Sequence, residues 1–113
     1  MKQILLLLIV CGMLITTAHA ITWEDYQARK SDPNIKFYIS GVGAGYFYTN
    51  NYLNTIGRPK LYCPPEPMST NMPGEIYPAI LEGYADIVGI KKLKGVSVEI
   101  ILLQSLIELY PCK

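Results

Sequence analysis

The sequence is almost without histidine and has few cysteines. Its single histidine, His19, lies in the N-terminal leader described below, and the 113 residues include only three cysteines. Without histidine, the rest of the chain lacks the commonest general base and the usual metal ligand. The nine acidic residues are scattered along the chain, and zinc bound by carboxylates alone is unusual. We therefore expect no catalytic residues, no metal and no cofactor, and interpret the chain as a binding protein rather than an enzyme.

The sequence also lacks a surplus of either charge. Ten Lys and Arg stand against nine Asp and Glu, and loss of Lys2 with the leader leaves nine against nine. Binding to nucleic acid and attachment to an anionic membrane both depend on a basic surplus. The composition therefore argues against a nucleic-acid partner and against membrane attachment of the mature chain.

The first twenty residues resemble a secretory signal peptide. Lys2 begins the leader, an apolar run follows, and Ala18-His19-Ala20 carries small residues where a signal peptidase cleaves. The apolar run, about a dozen residues, is short for a membrane span. An uncleaved anchor and a lipoprotein modified at Cys11 are the alternatives. We predict cleavage after Ala20 and a single mature domain, residues 21–113, in an oxidising compartment outside the cytoplasm.

Loss of the leader leaves two cysteines, Cys63 and Cys112. An even number of cysteines in a short exported chain indicates a disulfide, with two buried thiols as the alternative. Closing a loop of about fifty residues stabilises a fold by about 4 kcal/mol in the chain-entropy model. We therefore expect one disulfide to staple the mature domain.

Helical periodicity runs through most of the mature chain and predicts an all-α fold with one short and three longer helices. Thr22 and Asp25 have the spacing of a capping box, so Trp23 and Tyr26 follow on the first helix and pack on the body. The predicted helices cover residues 23–31, 34–54, a third stretch capped at Thr70 or Asn71, and 96–110.

The third and fourth helices differ in their apolar pattern. In the third, Ile76, Ile80, Tyr84 and Ile87 form one apolar stripe, and Tyr77, Leu81 and Val88 form its neighbour. Pro78 either lies in the first turn of this helix or kinks it. The fourth helix is apolar nearly all round, and we therefore place it at the centre of the core.

Three glycines interrupt the second helix between Gly41 and Gly45. A dinucleotide fingerprint would need a preceding strand, which the pattern does not indicate. Each glycine costs about 1 kcal/mol against alanine in a helix, so close approach of another helix at Gly41 and Gly45 is favoured over a ligand site. Tyr48 and Tyr52 extend this face. Packing within the chain and a homodimer both fit the pattern.

Several of these segments together resemble the Rap/Tai family of periplasmic immunity proteins, which protect bacteria from type VI secretion amidase effectors. The resemblance covers about residues 37–113 and is carried by Gly41-x-x-x-Gly45, Cys63-Pro64-Pro65-Glu66 and Tyr110-Pro111-Cys112. It implies an all-helical fold, pairing of Cys63 with Cys112, a periplasmic location and a homodimer. It further implies that the chain binds a peptidoglycan amidase and occludes its active site.

The loop between the last two helices is the first candidate for the binding surface. It runs from Asp86 to Gly95 and combines charge with glycine-framed mobility. Its candidate partner-binding residues are Asp86, Gly89, Lys91, Lys92 and Lys94. A solvated basic turn is the alternative interpretation. Two rival functions also remain open: a small periplasmic chaperone of the acid-stress kind, and a family member without a cognate toxin.

Overall fold

The structure, a computed structural model, describes residues 20–113, and the predicted signal peptide up to residue 19 lies outside the described residues. The described chain contains four α-helices, one short 3₁₀ turn and no strand, so the predicted all-α fold with one short and three longer helices is confirmed. The helices are α1 (Trp23–Arg29), α2 (Pro33–Thr55), α3 (Ile76–Val88) and α4 (Val98–Leu109), and the 3₁₀ turn is Ile90–Leu93.

Helix α1 begins at the predicted capping box. The Thr22 hydroxyl accepts a hydrogen bond from the Asp25 backbone N–H at 3.2 Å, and the Asp25 carboxylate accepts one from the Thr22 backbone N–H at 3.4 Å. These two bonds satisfy donors that a helix start otherwise leaves unpaired. Trp23 and Tyr26 are buried against the rest of the domain, as predicted.

Only residues 30–32 separate α2 from α1, because Asp32 and Pro33 begin a new helix. The Asp32 side chain accepts a hydrogen bond from the Asn34 backbone N–H at 2.9 Å, and Pro33 occupies the first helical position, where its missing N–H leaves no bond unmade. This cap ends α1 at Arg29, two residues before its predicted end. Helix α2 extends one residue beyond the predicted range 34–54 at each end.

The close contact between α2 and α3 is at Gly43. The prediction that another helix of the same chain packs at Gly41 and Gly45 is therefore wrong. A Cβ at Gly43 would lie 2.2–2.5 Å from ring carbons of the fully buried Tyr77. A Cβ at Gly41 or Gly45 would meet no heavy atom of residues 20–113 within 4 Å. Gly43 lies one turn after buried Ile39, and residues two positions away project from the opposite side of a helix.

A buried asparagine near the end of α2 holds the connector that leads to α3. The Asn50 side-chain oxygen accepts hydrogen bonds from the backbone N–H groups of Leu61 and Tyr62 at 2.7 and 3.3 Å. Its side-chain amide N–H donates to the Tyr62 carbonyl at 2.8 Å. The Asn50 side chain therefore satisfies connector backbone groups that have no strand partner. The next residue, Cys63, forms a disulfide with Cys112, so that pairing is confirmed.

Helix α3 begins at Ile76, and the prediction of a cap at Thr70 or Asn71 is wrong. The Thr70 hydroxyl donates to the Pro67 carbonyl at 2.9 Å, so it closes a turn in the connector instead of capping a helix. Pro78 lies in the first turn of α3. Proline is tolerated there because the first N–H groups of a helix have no partner within it, and the alternative of a kink is excluded.

Helix α4 packs against both α2 and α3. Ser97 caps it by accepting a hydrogen bond from the Ile100 backbone N–H at 3.4 Å, so the helix begins two residues later than predicted. Its buried side chains are Val98, Ile101, Leu102, Ser105 and Leu106. Each aliphatic side chain buried in this way contributes about 1.5–3 kcal/mol to folding. The outer side of α4 exposes Ile100 and Ile107, so this helix is less enclosed than its composition indicates.

Candidate protein-binding surfaces

The first candidate surface is the segment of residues 86–95, which we call the 86–95 loop. Its first three residues form the last turn of α3, and the four residues Ile90–Leu93 are the 3₁₀ turn, so seven of the ten residues of the predicted loop are regular structure. Gly89 and Gly95 flank the turn with φ values of 91° and 73°. Residues with a side chain are strained at such angles, which is why glycine stands at both bends.

One side chain anchors the 86–95 loop to the core. Leu93 is only 4% exposed and belongs to the buried apolar cluster. Backbone hydrogen bonds brace the turn around it: the Lys92 N–H donates to the Gly89 carbonyl at 3.1 Å, and the Val96 N–H donates to the Leu93 carbonyl at 3.0 Å. The sequence carries a signal for this anchor, because Leu93 is a single apolar residue between two lysines in a basic segment.

The start of the described chain holds the far end of the 86–95 loop. The Gly95 N–H donates to both oxygens of the Glu24 carboxylate, at 2.9 and 3.1 Å. The Trp23 N–H donates to the Val96 carbonyl at 2.9 Å. The loop is therefore fixed at its core and at its end, and a segment ordered in advance loses little entropy when it binds a partner.

The outer side of the 86–95 loop combines apolar and basic side chains. Ile87 is 77% exposed and Ile90 is 62% exposed. The side chains of Lys91, Lys92 and Lys94 are also exposed. A single exposed isoleucine is ordinary on a protein surface, but two beside three lysines form an apolar contact with a positive border.

Ile87 belongs to an apolar stripe of α3 but does not face the core. The buried side of α3 carries Tyr77, Leu81 and Tyr84, and Ile87 lies at the edge of that arc when side chains are placed 100° apart. The apolar pattern of a helix indicates its buried side only where a neighbouring element continues along it. At the end of α3 the chain turns away into Gly89, so Ile87 remains in solvent.

A hollow of about 400 Å³ lies where α3 meets the 3₁₀ turn. Its walls include Ala85, Asp86, Gly89, Ile90 and Lys91. They combine apolar surface with one carboxylate and, counting Lys92, two ammonium groups, which suits a side chain of a partner protein. The structure thus brings the predicted residues Asp86, Gly89 and Lys91 to one surface.

The second candidate surface is the outer side of α2, where Gly41, Gly45, Tyr48 and Tyr52 all lie exposed. Tyr48 is 72% exposed and Tyr52 is 62% exposed. This side is opposite to the one that packs on α3 and α4. The predicted residues are therefore brought together in two separate groups, the 86–95 loop and the outer side of α2.

Two other tyrosines of α2 have a structural role. The Tyr38 hydroxyl donates to the Glu99 carboxylate on α4, and the Tyr46 hydroxyl donates to the Glu99 carbonyl at 2.9 Å. The bond to Glu99 raises the pKa of Tyr38 to about 12, and burial raises the pKa of Tyr46. Both phenols are therefore protonated near neutral pH and tie α2 to α4, whereas the rings of Tyr48 and Tyr52 project outward.

Neither surface has the composition of a metal centre. Residues 20–113 hold no group of three or more His, Cys, Asp or Glu placed to bind a metal ion. None of the helices in this part of the chain is both long and apolar enough to cross a membrane. Both surfaces offer shape, apolar contact and hydrogen-bonding groups, which are the means of binding another protein.

Comparison with protein-family models, curated proteins and solved structures found no match for this chain.

Proposed function

We propose that the mature chain, residues 21–113, is a periplasmic immunity protein that binds a type VI secretion peptidoglycan amidase and occludes its active site. The 86–95 loop is the proposed binding element. The observation that carries the proposal is the construction of this loop, whose buried Leu93 and Glu24-bound end hold exposed Ile87, Ile90 and lysines in place. Such a loop suits an inhibitor, because a projection that is ordered in advance enters a cleft at little ordering cost.

The resemblance to the Rap/Tai family supports the choice of partner. The segments that carry it are the glycine-rich part of α2, Cys63-Pro64-Pro65-Glu66 and Tyr110-Pro111-Cys112. The resemblance implied a helical fold and a disulfide between Cys63 and Cys112, and the structure has both. The proposed location follows from the predicted signal peptide together with this family.

Occlusion of the active site requires no catalysis by the immunity protein. Amidases of this class cut peptide cross-links with a cysteine nucleophile, and covering that cleft is sufficient to stop them. Ile87 and Ile90 would supply apolar contact, and Lys91 and Lys92 would pair with acidic groups at the cleft border. Charges at the border of an interface mainly accelerate association, whereas the buried apolar contacts slow dissociation.

The proposal is tested with a secreted type VI amidase, sought first among the genes adjacent to the one that encodes this chain. Peptidoglycan cleavage is measured while the oxidised mature chain is titrated in, and we expect full loss of activity at about one chain per amidase, with nanomolar affinity. The double variant Lys91→Ala/Lys92→Ala should weaken binding by about 1–3 kcal/mol because it removes the positive border. Its melting temperature should equal that of the wild type, since both side chains are exposed.

A matched control is the double variant Lys36→Ala/Lys113→Ala. It removes the same charge from two exposed lysines outside the 86–95 loop, and it should inhibit as the wild type does. Equal inhibition by the wild type and the loop variant would move the binding site away from this loop. Absence of inhibition by the wild type, together with reduced acid survival of a deletion strain, would favour the chaperone function instead.

A further inference from the structure

A groove of about 580 Å³, which we call the α2–α3 groove, lies between the beginning of α2 and the beginning of α3. Its α2 wall is formed by Pro33, Lys36, Phe37 and Ser40. Its α3 wall is formed by Glu75, Pro78, Ala79 and Glu82. Each wall is one face of a helix, because positions i, i+3, i+4 and i+7 lie on the same side of a helix.

Hydrogen bonds hold the walls of the α2–α3 groove at two points. The Ser40 hydroxyl donates to the Gly74 carbonyl at 2.8 Å, and a Cβ at Gly74 would lie 3.4 Å from the Ser40 Cβ, so the walls touch there. The buried Tyr26 of α1 lines the groove and donates to the Glu82 carboxylate at 3.1 Å. Three helices therefore shape the groove in advance, and its volume is within the range of small-ligand sites, about 300–1,000 Å³.

The two walls carry opposite charges that have no ion-pair partner among residues 20–113. Lys36 on the α2 wall and Glu75 on the α3 wall are both exposed. The ion pair in this part of the chain joins Lys30 to Glu82 at 3.8 Å, so Glu82 already has a cation and a phenol as partners. Lys36 and Glu75 are therefore available to a ligand that carries both a carboxylate and an ammonium group.

Apolar side chains line much of the α2–α3 groove. Phe37 is 76% exposed, and its ring stands on the same wall as Lys36. Pro33, Pro78 and Ala79 add further apolar surface. The groove thus combines a cation, an anion and apolar contact area within one small site, which is the usual composition of a ligand-binding site.

We propose that the α2–α3 groove binds short peptides with free termini. The peptide carboxylate pairs with Lys36, its ammonium group pairs with Glu75, and an apolar side chain packs on Phe37. A polyanion is disfavoured as the ligand, because Glu75 and Glu82 outnumber Lys36. A wholly apolar ligand would cover Lys36 and Glu75 without pairing them, which costs free energy.

The α2–α3 groove is separate from the 86–95 loop. The groove lies at the beginning of α3, the hollow beside the loop lies at the end of α3, and the two share no lining residue. Peptide binding therefore does not depend on the proposed immunity function. Only the source of the peptide rests on the proposed location, because outside the cytoplasm both fragments of exported proteins and cell-wall peptides have this chemistry.

Titration of the oxidised mature chain with the tripeptide Ala-Leu-Ala, followed by NMR, tests the site. We expect saturable binding that shifts the backbone amide signals of Lys36, Phe37 and Ala79. The matched ligand control is the same peptide with an acetylated N-terminus and an amidated C-terminus, which carries no charge. It should bind on the order of 10-fold more weakly, because both charged contacts are lost.

Three variants assign the contacts. Lys36→Gln should weaken binding of the free tripeptide about 5-fold and leave the affinity for the C-amidated peptide unchanged. Glu75→Gln should weaken it by a similar factor and leave the affinity for the N-acetylated peptide unchanged. Ala79→Trp, which places an indole in the groove, should abolish binding. The three replaced side chains are exposed, so the melting temperatures should stay near that of the wild type.

The matched control for charge is Lys113→Gln. Lys113 is an exposed lysine that does not line the groove, so this variant should bind the tripeptide as the wild type does. Peptide binding is measured without an amidase, and failure of the immunity function would therefore leave these results unchanged.

The configuration of the last residue identifies the source of the peptide. Ala-Leu-Ala is compared with the same tripeptide ending in D-alanine, a residue that cell-wall peptides contain and ribosomally made proteins lack. Tighter binding of the D form would assign the groove to cell-wall peptides, and tighter binding of the L form would assign it to protein fragments.

Three outcomes would overturn the proposal. The first is absence of saturable binding by either tripeptide up to about 10 mM, and the second is equal affinity for the free and the uncharged peptide. The third is unchanged affinity of both Lys36→Gln and Glu75→Gln for the free tripeptide, which would place any bound peptide outside the α2–α3 groove.

Discussion

The 86–95 loop and the outer side of α2 are two exposed surfaces of opposite construction. We call the second the α2 stripe, and it consists of Phe37, Gly41, Ala44, Gly45, Tyr48 and Tyr52. The loop is a short, bent segment with three exposed lysines, held by the buried Leu93 and by Glu24. The α2 stripe lies on one long helix, carries no charge and takes its shape from alternating rings and glycines. One surface is shaped by tertiary contacts, and the other follows from the helical period alone.

This difference indicates different partners for the two surfaces. Three lysines brought against the same three lysines of a second copy would repel, so the 86–95 loop is unsuited to self-association and suited to an acidic partner. The α2 stripe lacks charge, so it offers a partner apolar contact and shape in place of ion pairs. The predictions below test whether the two surfaces depend on the core in the different ways that their construction implies.

The largest expected effect is the difference in stability between a variant of Leu93, which anchors the 86–95 loop, and a variant of Ile90, at its exposed tip. Leu93→Ala removes a buried side chain and should lower the free energy of unfolding by about 2–5 kcal/mol. Ile90→Ala, which truncates an exposed side chain three residues earlier, should change it by no more than about 0.5 kcal/mol. Denaturant titration of both variants checks the comparison. Equal stability of the two variants would mean that Leu93 does not anchor the loop.

A smaller effect separates the inner and outer glycines of α2. Gly43→Ala forces a Cβ against the buried Tyr77 ring and should destabilise the fold by about 1–3 kcal/mol. Gly41→Ala meets open space and should stabilise the isolated chain by up to about 1 kcal/mol through helix propensity. Thermal unfolding at low protein concentration measures both. If the two variants shifted stability in the same direction, the assignment of inner and outer sides would be wrong.

The smallest effect concerns the tether of the 86–95 loop. Glu24→Ala removes the carboxylate that accepts from the Gly95 N–H and should lower stability by about 0.5–1.5 kcal/mol. Amide hydrogen exchange at Gly95 should accelerate, because its N–H loses its partner. Asp25→Ala is a poor control, since it breaks the capping box of α1. Glu75→Ala is the better control, because it removes an exposed carboxylate that precedes α3 and makes no cap bond, and it should leave exchange at Gly95 unchanged.

Local sequence patterns predicted the structure correctly where a residue bonds to its own neighbours in the chain. The capping box of Thr22 and Asp25 lies three residues apart in sequence and forms as predicted. Thr70 and Asn71 have equally good capping chemistry, but the proline-rich connector uses Thr70 in a turn, so α3 starts later. Capping residues predict a helix start only when the following backbone is free to become helical.

The candidate surfaces were predictable in place but not in detail. The position of the 86–95 loop follows from its glycines and lysines, whereas the exposure of Ile87 and Ile90 depends on where α3 ends. Glu24 lies 71 residues before its partner Gly95, and no periodic pattern connects them. Contacts between residues so distant in sequence are set by how the helices pack.

By itself, the sequence determined the helical class of this protein, the disulfide between Cys63 and Cys112 and the uncharged row on α2. These features follow from the 3.6-residue period and from the number of cysteines, which are properties of the chain before it folds. Tertiary structure alone decided that Gly43, and not Gly41 or Gly45, contacts another helix, and that Leu93 points inward while Ile87 points outward. The physical reason is that a helix has several apolar sides here, and only packing against its neighbours selects the side that is buried.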